Sequence, residues 1–399
     1  MFDEALERAK YCDEYLESKG KTLGPLHGLP VSVKDSFNVK GYQTIMGYAA
    51  FASNSPATNN SGIVGILLQA GAVIHVKTNV PQTMMSADTE NNIFGRTLNS
   101  NKLSLTAGGS TGGEGALLKM RGGALGVGTD LAGSVRIPAL CNGIYAFKPT
   151  AKRVPYAGEL WDGRLGSPGQ VPATIGPMGH SVRDMELLMR VVGDSEPWTL
   201  DESVINVPWR RVEPPRRKLR LGMILEDDRR PLHPPMLRTV KIAERALLAA
   251  GHEIIDMTGR VPSIWYTASL AWRYFSLDPK KTGHDLLKDE PTIRSIPRTN
   301  PFAENEGWEA SLDALWDLNL ERSRILAAYR DIMVQNELDG FILPPYQSAA
   351  QPHDLYGAVP YTVLANFLNV GLPMRCDLMV LTRTVSGRAD SIFKRKQGA

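Results

Sequence analysis

Two serines set in glycine-rich turns are the residues of this chain best suited to covalent chemistry. Ser110 lies within the segment GGSTGG, and Ser134 lies within DLAGSVR. Glycine allows the backbone to bend through positive φ, so that several N–H groups can point toward one atom. A serine hydroxyl beside such donors supplies what acyl transfer needs, a nucleophile together with an oxyanion hole.

Other interpretations of the same stretch lead to other functions. By composition it is typical of a flexible loop. A P-loop would need Gly-Lys followed by Ser or Thr, but Glu114 follows Gly113, and the dinucleotide fingerprint lacks its last glycine after Gly128. Ser110 also fits G-x-S-x-G, the nucleophile elbow of α/β-hydrolases, although turn-forming residues rather than a buried strand precede it. The elbow stays open as an alternative for Ser110, whereas nucleotide binding is not expected.

A lysine upstream is the candidate base. Lys34 ends the segment LPVSVK, in which Val31 and Val33 alternate with polar residues and predict a strand with one apolar face. A lysine has an ordinary pKa of about 10.4, so it must be desolvated before it can accept a proton at neutral pH. An isolated lysine in this pattern is more typical of a solvated, half-exposed strand. The two glycine-framed serines favour the base, because Ser-Lys arrangements are a variant of the catalytic triad.

Three segments in order resemble the amidase signature family. The chain reads GGSTGGEGAL, GVGTDLAGSVRIPA and GIYAFKPT, where the family has Gly-Gly-Ser-Ser-Gly-Gly, Gly-Thr-Asp-Ile-Gly-Gly-Ser-Ile-Arg-Ile-Pro and Gly-Leu-Tyr-Gly-Phe-Lys-Pro-Thr. The two serines are 24 positions apart, as in the family, and GPLHGLPVSVKD resembles the segment with its catalytic lysine. The similarity runs from about residue 2 to about residue 370 and is greatest to the eukaryotic branch that contains fatty acid amide hydrolase and fungal acetamidase-type enzymes.

The resemblance implies a role for each matching residue. Ser134 would be the nucleophile, Ser110 the bridging serine on a cis peptide bond, and Lys34 the general base. Asp130 and Arg136 would form a supporting ion pair. The oxyanion hole would consist of four backbone amides, those of Leu131, Ala132, Gly133 and Ser134.

Two positions depart from the family pattern, and one pair remains ambiguous. Ala132 replaces the usual glycine, so its methyl group would restrict the oxyanion turn, whereas Thr111 keeps a hydroxyl in place of the second serine. Met84 and Met85 resemble the segment behind the bound acyl group. They would line an apolar pocket, since methionine adapts its shape, or fill ordinary core.

The surrounding pattern, together with the resemblance, predicts an α/β fold with a mixed central β-sheet flanked by helices on both faces. The first segment predicts an amphipathic helix with a cap at Gly20 and one buried face, which consists of Phe2, Ala5, Leu6, Ala9, Cys12 and Leu16. Asp184 completes a capping box with Ser181. The other main predictions are a helix over Gly112–Arg121, a strand over Leu125–Thr129, a β-α-β unit over Leu219–Ile255, a helix over Leu312–Gln335 and a strand over Gly340–Leu343.

Composition excludes several classes of function. The 399 residues carry a net charge of only +3, so no nucleic-acid partner is expected. The three cysteines, Cys12, Cys141 and Cys376, are far apart and show no zinc spacing, which indicates a reducing, cytoplasmic setting. No apolar run has the length of a transmembrane segment, and the first residues do not have the pattern of a signal peptide. No metal or organic cofactor is implied; a homodimer is left open.

The expected organisation is a single amidase-signature domain over 1–370, with its catalytic motifs within 24–150, and an atypical tail over 371–399. The expected function is hydrolysis of a small-molecule amide to an acid and an amine through an acyl-enzyme on Ser134. The tail resembles nothing in the family and indicates a truncated or mis-spliced chain. The alternatives are a catalytically inactive family member and a protein that resembles the family's subunit of glutamyl-tRNA amidotransferase.

Overall fold

The computed structural model describes residues 1–160, 162–164, 166, 169, 171–210 and 217–369. The tail expected over 371–399 therefore lies outside the described residues, as does Cys376. The described residues form ten α-helices: α1 (Phe2–Lys19), α2 (Gly62–Gln69), α3 (Gly112–Lys119), α4 (Arg136–Asn142), α5 (Val182–Asp194), α6 (Pro234–Ala249), α7 (Ile264–Phe275), α8 (Thr282–Asp285), α9 (Leu312–Gln335) and α10 (Pro360–Phe367).

The β-strands of the described residues form a five-stranded mixed sheet, a three-stranded parallel sheet and a two-stranded ribbon. In the mixed sheet the order is β2-β1-β5-β7-β6, with β1 parallel to β2 and β5, and β7 antiparallel to β5 and β6. The strands are β1 (Pro30–Lys34), β2 (Val73–Thr78), β3 (Glu90–Asn91), β4 (Gly95–Arg96), β5 (Leu125–Asp130), β6 (Tyr145–Ala146), β7 (Thr174–Gly179), β8 (Arg220–Met223), β9 (Glu253–Asp256) and β10 (Gly340–Ile342).

Helices cover both faces of the mixed sheet, which confirms the predicted fold class. On one face Val33 and Val127 pack with α2 and α5 in a cluster of buried apolar residues. On the other face Met178 packs with Leu118 of α3 and Ala139 of α4. Successive side chains of a strand point to opposite faces of the sheet. Because helices cover both faces, the polar residues that alternate with the valines of β1 are buried as well, and Ser32 and Lys34 are fully buried.

The first helix has the predicted bounds, but its buried face is narrower than predicted. α1 ends at Gly20, which adopts φ 62° and caps the helix, as predicted. Cys12 is buried, whereas Phe2 and Leu6 are 70% and 62% exposed, and Leu16 is 43% exposed. The prediction was wrong for these three residues because α1 contacts the body of the protein along a narrow strip against β2.

The second part of the chain adds the separate three-stranded parallel sheet, in the order β10-β8-β9. The predicted β-α-β unit is observed, since β8 and β9 are parallel neighbours joined through α6. The strand β10 also matches its prediction. The largest apolar cluster joins this sheet to α7, α9 and α10 and extends to Ile137 and Cys141 of α4, so the core of the second sheet reaches the helix that follows Ser134.

Candidate active site

The candidate site lies where two parallel strands of the mixed sheet end. Lys34 is the last residue of β1 and Asp130 is the last residue of β5, the neighbouring parallel strand. The carboxyl ends of parallel strands meet at one edge of a sheet, which is where ligands bind in open α/β sheets. Ser134 follows β5 in the turn before α4, and Ser110 lies just before α3. No strand leads directly into Ser110, so the nucleophile-elbow interpretation has no support.

Lys34 has the surroundings that a neutral base requires. Its side chain is fully buried, and Nζ lies 2.7 Å from Ser110 Oγ and 2.7 Å from Thr129 Oγ1. Burial lowers the pKa of Lys34 to about 7, against the opposing effect of the carboxyl groups of Glu159, Asp130 and Asp162. A large share of the lysine is therefore neutral near pH 7 and can accept a proton.

Ser110 and Ser134 are brought together by their backbones. The Gly109–Ser110 peptide bond is cis, as the resemblance implies. Ser110 is buried and Ser134 is half-buried, so only the second serine is open to a substrate. The N–H of Thr111 donates to the Ser134 carbonyl at 3.2 Å and ties the two turns together. Within the described residues the two serine hydroxyls are not hydrogen-bonded to each other.

The turn between β5 and α4 leaves several N–H groups free. The amides of Leu131, Ala132 and Ser134 make no hydrogen bond within the described part of the chain. The amide of Gly133, which the resemblance places in the same oxyanion hole, instead donates to Asp130 Oδ1 at 2.8 Å. Unpaired amides in one turn are the kind of donor that a developing negative charge requires.

The expected ion pair is present beneath this turn. Arg136 Nη2 lies 2.8 Å from Asp130 Oδ1, and both side chains are buried. Burial alone would raise the pKa of Asp130, but the Arg136 guanidinium lowers it to about 2, so the carboxylate stays ionised. The pKa values of the other two carboxyl groups near Lys34 shift in the opposite direction, since burial raises the pKa of Glu159 and of Asp162.

The methionine pair lies in a short, irregular helical turn. Met84 has φ 51° and packs beside Met46, Tyr48 and Leu287 in a small apolar cluster. Met85 is half-buried. Both roles weighed for this pair, pocket lining and core filling, are compatible with these contacts.

Sequence reasoning did not identify four residues that contact the site's framework. Thr129 is the second partner of Lys34, and its position at the carboxyl end of a strand parallel to β1 is the signal that could have found it. Glu114 is buried in the first turn of α3, where it accepts hydrogen bonds from Ser32 and Thr78. Thr362 and Asn366 of α10 contact the turn that contains Ser134; no local signal marks them, because they lie 230 and 236 positions from their partners.

The described part of the chain offers neither a metal cluster nor a membrane-spanning helix. No group of three or more His, Cys, Asp or Glu side chains is arranged to hold a metal ion in the described ranges. Among the helices described, none combines the length and the apolar character that a membrane crossing requires.

Comparison with known proteins gives the family of this chain. The family model described as Amidase matches residues 1–374. The chain belongs to the amidase family. This confirms the family that the three motifs indicated, and members similar to this chain are named amidase and acetamidase.

Individual members of the amidase family are similar over most of this chain. An amidase of Gibberella moniliformis is 38% identical over 92% of this chain and 69% of its own length. An acetamidase of Aspergillus oryzae is 35% identical over 92% of this chain and 68% of its own length. The solved structure of a fatty acid amide hydrolase has a TM-score of 0.87 and 33% identity, covering 92% of this chain and 64% of that one. The chain thus spans less than two thirds of that structure.

Proposed function

We propose that this protein hydrolyses a carboxamide to a carboxylic acid and an amine or ammonia, through an acyl-enzyme on Ser134. The observation that carries the proposal is the fully buried Lys34, whose Nζ lies 2.7 Å from Ser110 Oγ. A surface lysine would be protonated and could only donate to that hydroxyl. With a pKa lowered to about 7, the amine can accept the hydroxyl proton.

Acylation transfers one proton along the three residues. Neutral Lys34 accepts the proton of Ser110, and Ser110 Oγ accepts the proton of Ser134 as Ser134 Oγ attacks the amide carbon. The oxyanion forms beside the free amides of Leu131, Ala132 and Ser134. When the C–N bond breaks, Ser110 passes a proton to the leaving nitrogen and recovers its own from Lys34, which is neutral again.

Deacylation repeats the relay with water in place of Ser134. Water attacks the ester carbon, gives a proton to Ser110, and Ser110 gives one to Lys34. Collapse of the second oxyanion returns a proton to Ser134 Oγ and releases the acid. The ionised Asp130 and the Arg136 guanidinium support the turn from below without transferring a proton themselves.

The proposed oxyanion hole has three backbone donors, whereas the resemblance implies four. The amide of Gly133 would be a fourth donor only if its hydrogen bond to Asp130 Oδ1 were broken. Met84 and Met85 are proposed as part of an apolar wall for the acyl group. The relatives named acetamidase and fatty acid amide hydrolase carry names with short and long acyl groups, so the acyl preference is tested with a panel of short, aromatic and long-chain amides.

The setting of the reaction is also proposed. Cys12 and Cys141 are both free and buried, which suits a reducing compartment such as the cytoplasm. A homodimer is the proposed assembly. Light scattering on the purified protein tests this assembly, and fractionation of cells tests the location.

Labelling with a fluorophosphonate followed by intact-protein mass spectrometry tests the nucleophile. The wild-type protein should gain one phosphonyl group on Ser134, and Ser134→Ala should gain none. Ser18→Ala is the matched control, because Ser18 is an exposed serine of α1. Normal labelling of Ser134→Ala would refute the assignment.

The same measurement separates two of the alternatives, and copurification separates the third. A modified Ser110 would favour the hydrolase elbow. An unlabelled wild-type protein would favour the inactive family member. A component of an amidotransferase would copurify with partner chains and transfer ammonia, so its amide hydrolysis would depend on those partners.

A further inference from the structure

We infer that Thr362 and Asn366, on helix α10, are positioning residues that set the direction of the free N–H groups in the turn between β5 and α4. The inference rests on the proposed function, since it concerns the oxyanion hole of that site. α10 lies more than 220 residues away along the chain and is brought to the turn by the fold.

Three of the four peptide groups from Asp130 to Ser134 are held through their carbonyl oxygens. An N–H group and the carbonyl of the same trans peptide point in opposite directions, so a hydrogen bond to the carbonyl fixes where the N–H points. Asn366 Nδ2 donates to the Asp130 carbonyl at 3.0 Å, and this peptide carries the free N–H of Leu131. The N–H of Ile137 donates to the Gly133 carbonyl at 2.7 Å, and that peptide carries the free N–H of Ser134.

Thr362 fixes one of the two peptides that lie between these, the one that joins Ala132 to Gly133. Its hydroxyl donates to the Ala132 carbonyl at 2.6 Å, while the N–H of the same peptide, that of Gly133, donates to Asp130 Oδ1. This peptide is therefore held at both ends, and the free amides on either side cannot turn independently of it. α10 thus supplies two side chains that bond to carbonyls of the turn.

The close approach of α10 is built into the sequence of the turn. Gly133 has φ 133°, and a Cβ atom there would fall against Thr362 Oγ1. Arg136 Nη1 donates to the Thr362 carbonyl at 2.7 Å, and Arg136 Nη2 donates to Asn366 Oδ1 at 2.7 Å. The buried ion pair therefore joins α10 to the turn as well as supporting Asp130.

Thr362→Val tests the inference, with Thr362→Ser as its matched control. The valine removes the hydroxyl at nearly constant volume, and the serine keeps it. We expect Thr362→Val to lose about tenfold to a hundredfold in kcat, with KM within about twofold of wild type, because a displaced oxyanion donor acts in the transition state. Phosphonylation of Ser134 should slow by a similar factor, and Thr362→Ser should restore most of both rates.

Rates are expressed per labelled Ser134, so that a loss of folded protein does not register as a loss of rate. If Thr362→Val does not fold, Thr362→Ala replaces it, since it removes the hydroxyl without added apolar volume. Wild-type rates in the folded hydroxyl-deletion variant, or equal losses in Thr362→Ser, would overturn the inference. An unlabelled wild-type protein would instead overturn the proposed function, so the two failures are distinct.

Discussion

At the scale of single residues, burial rather than a neighbouring charge gives Lys34 its chemistry. The carboxyl groups near it oppose the change, yet the pKa falls to about 7 because the side chain has no access to water. The amine Nζ lies within hydrogen-bond distance of the hydroxyls of Ser110 and Thr129. The lysine can in this way act as a base without a histidine in the site.

The first prediction is a pH profile that belongs to Lys34. Activity should rise with pH through about 7, because the rising fraction of neutral amine is the active form. Lys34→Ala should lose roughly 10²–10⁴-fold in kcat/KM and also lose this rising limb. Lys34→Arg should not recover activity, since a guanidinium stays protonated.

The measurement is kcat/KM against pH, with circular dichroism to check folding. Lys40→Ala is the control, because Lys40 is an exposed lysine. An active Lys34→Arg enzyme with an unchanged profile would remove Lys34 from the mechanism.

The second prediction concerns the departure from glycine at Ala132. Its φ lies outside the left-handed region, so its methyl group causes no strain of the kind that a glycine would relieve. Ala132→Gly should leave kcat within about twofold of wild type, with at most a small loss of stability from added chain entropy. Steady-state kinetics and thermal unfolding measure both. A large gain in turnover would show that the methyl group does restrict the turn.

At the scale of elements, Glu114 joins α3 to the two strands beside it. Its carboxyl accepts a 2.5 Å hydrogen bond from Ser32 of β1 and a 2.9 Å hydrogen bond from Thr78 of β2. Gly126 of β5 leaves the room for it, because a Cβ atom there would fall against Glu114 Oε2. These contacts fix the strand that ends in Lys34 relative to the helix that follows Ser110.

The third prediction is a dependence of stability on pH that Glu114 causes. Burial raises its pKa from 4.5 to about 8, against the lowering effect of the two hydrogen bonds. Between these pH values the folded chain keeps a proton that the unfolded chain releases. The folded state therefore loses stability as the pH rises through this interval, by up to about 1.4 kcal/mol per pH unit.

Glu114→Gln should remove that loss, because its amide does not titrate; the amide oxygen accepts one hydrogen bond and the amide NH2 donates the other to the second hydroxyl. The difference in free energy of unfolding between variant and wild type should move in favour of the variant from pH 5 to pH 8, measured by urea unfolding at each pH. Comparing the two proteins cancels the titration of the groups they share. Glu186→Gln, at an exposed glutamate of α5, is the control. A pH-independent difference would contradict the raised pKa.

How much of the molecule could be predicted depends on the range of the interactions involved. The capping box of Ser181 and Asp184 and the bounds of α9 follow from neighbouring residues, and both were predicted correctly. The exposed Phe2 and Leu6 of α1 were predicted wrongly, because periodicity shows that a face is apolar but not how wide its partner is. The roles of Thr362 and Asn366 depend on contacts across more than 220 residues, which no local pattern encodes.

At the scale of the whole molecule, one apolar core contacts both the second sheet and the turn that carries Ser134. α10 lies within this core, and Phe367 at its end is fully buried. The Phe367 ring makes an edge contact with Tyr274 of α7, with centroids 6.2 Å apart, and the guanidinium of Arg322 of α9 lies 5.7 Å from its centroid. The packing of α7 and α9 therefore determines where α10 meets the turn that carries Ser134.

The last prediction is that Phe367→Ala reduces both stability and turnover. Loss of a buried phenylalanine should cost about 3–5 kcal/mol in the free energy of unfolding, since the cavity collapses only in part. The folded fraction should also show a lower kcat, because α10 is less firmly held against the turn.

Trp316→Ala is the matched control, since Trp316 is a large apolar residue of α9 that is 70% exposed. Its loss should change stability by less than about 0.5 kcal/mol. Urea unfolding gives the stability, and kinetics normalised to fluorophosphonate-labelled sites give the turnover. A Phe367→Ala protein that loses stability but keeps wild-type kcat per labelled site would show that the core supports the fold without controlling the turn.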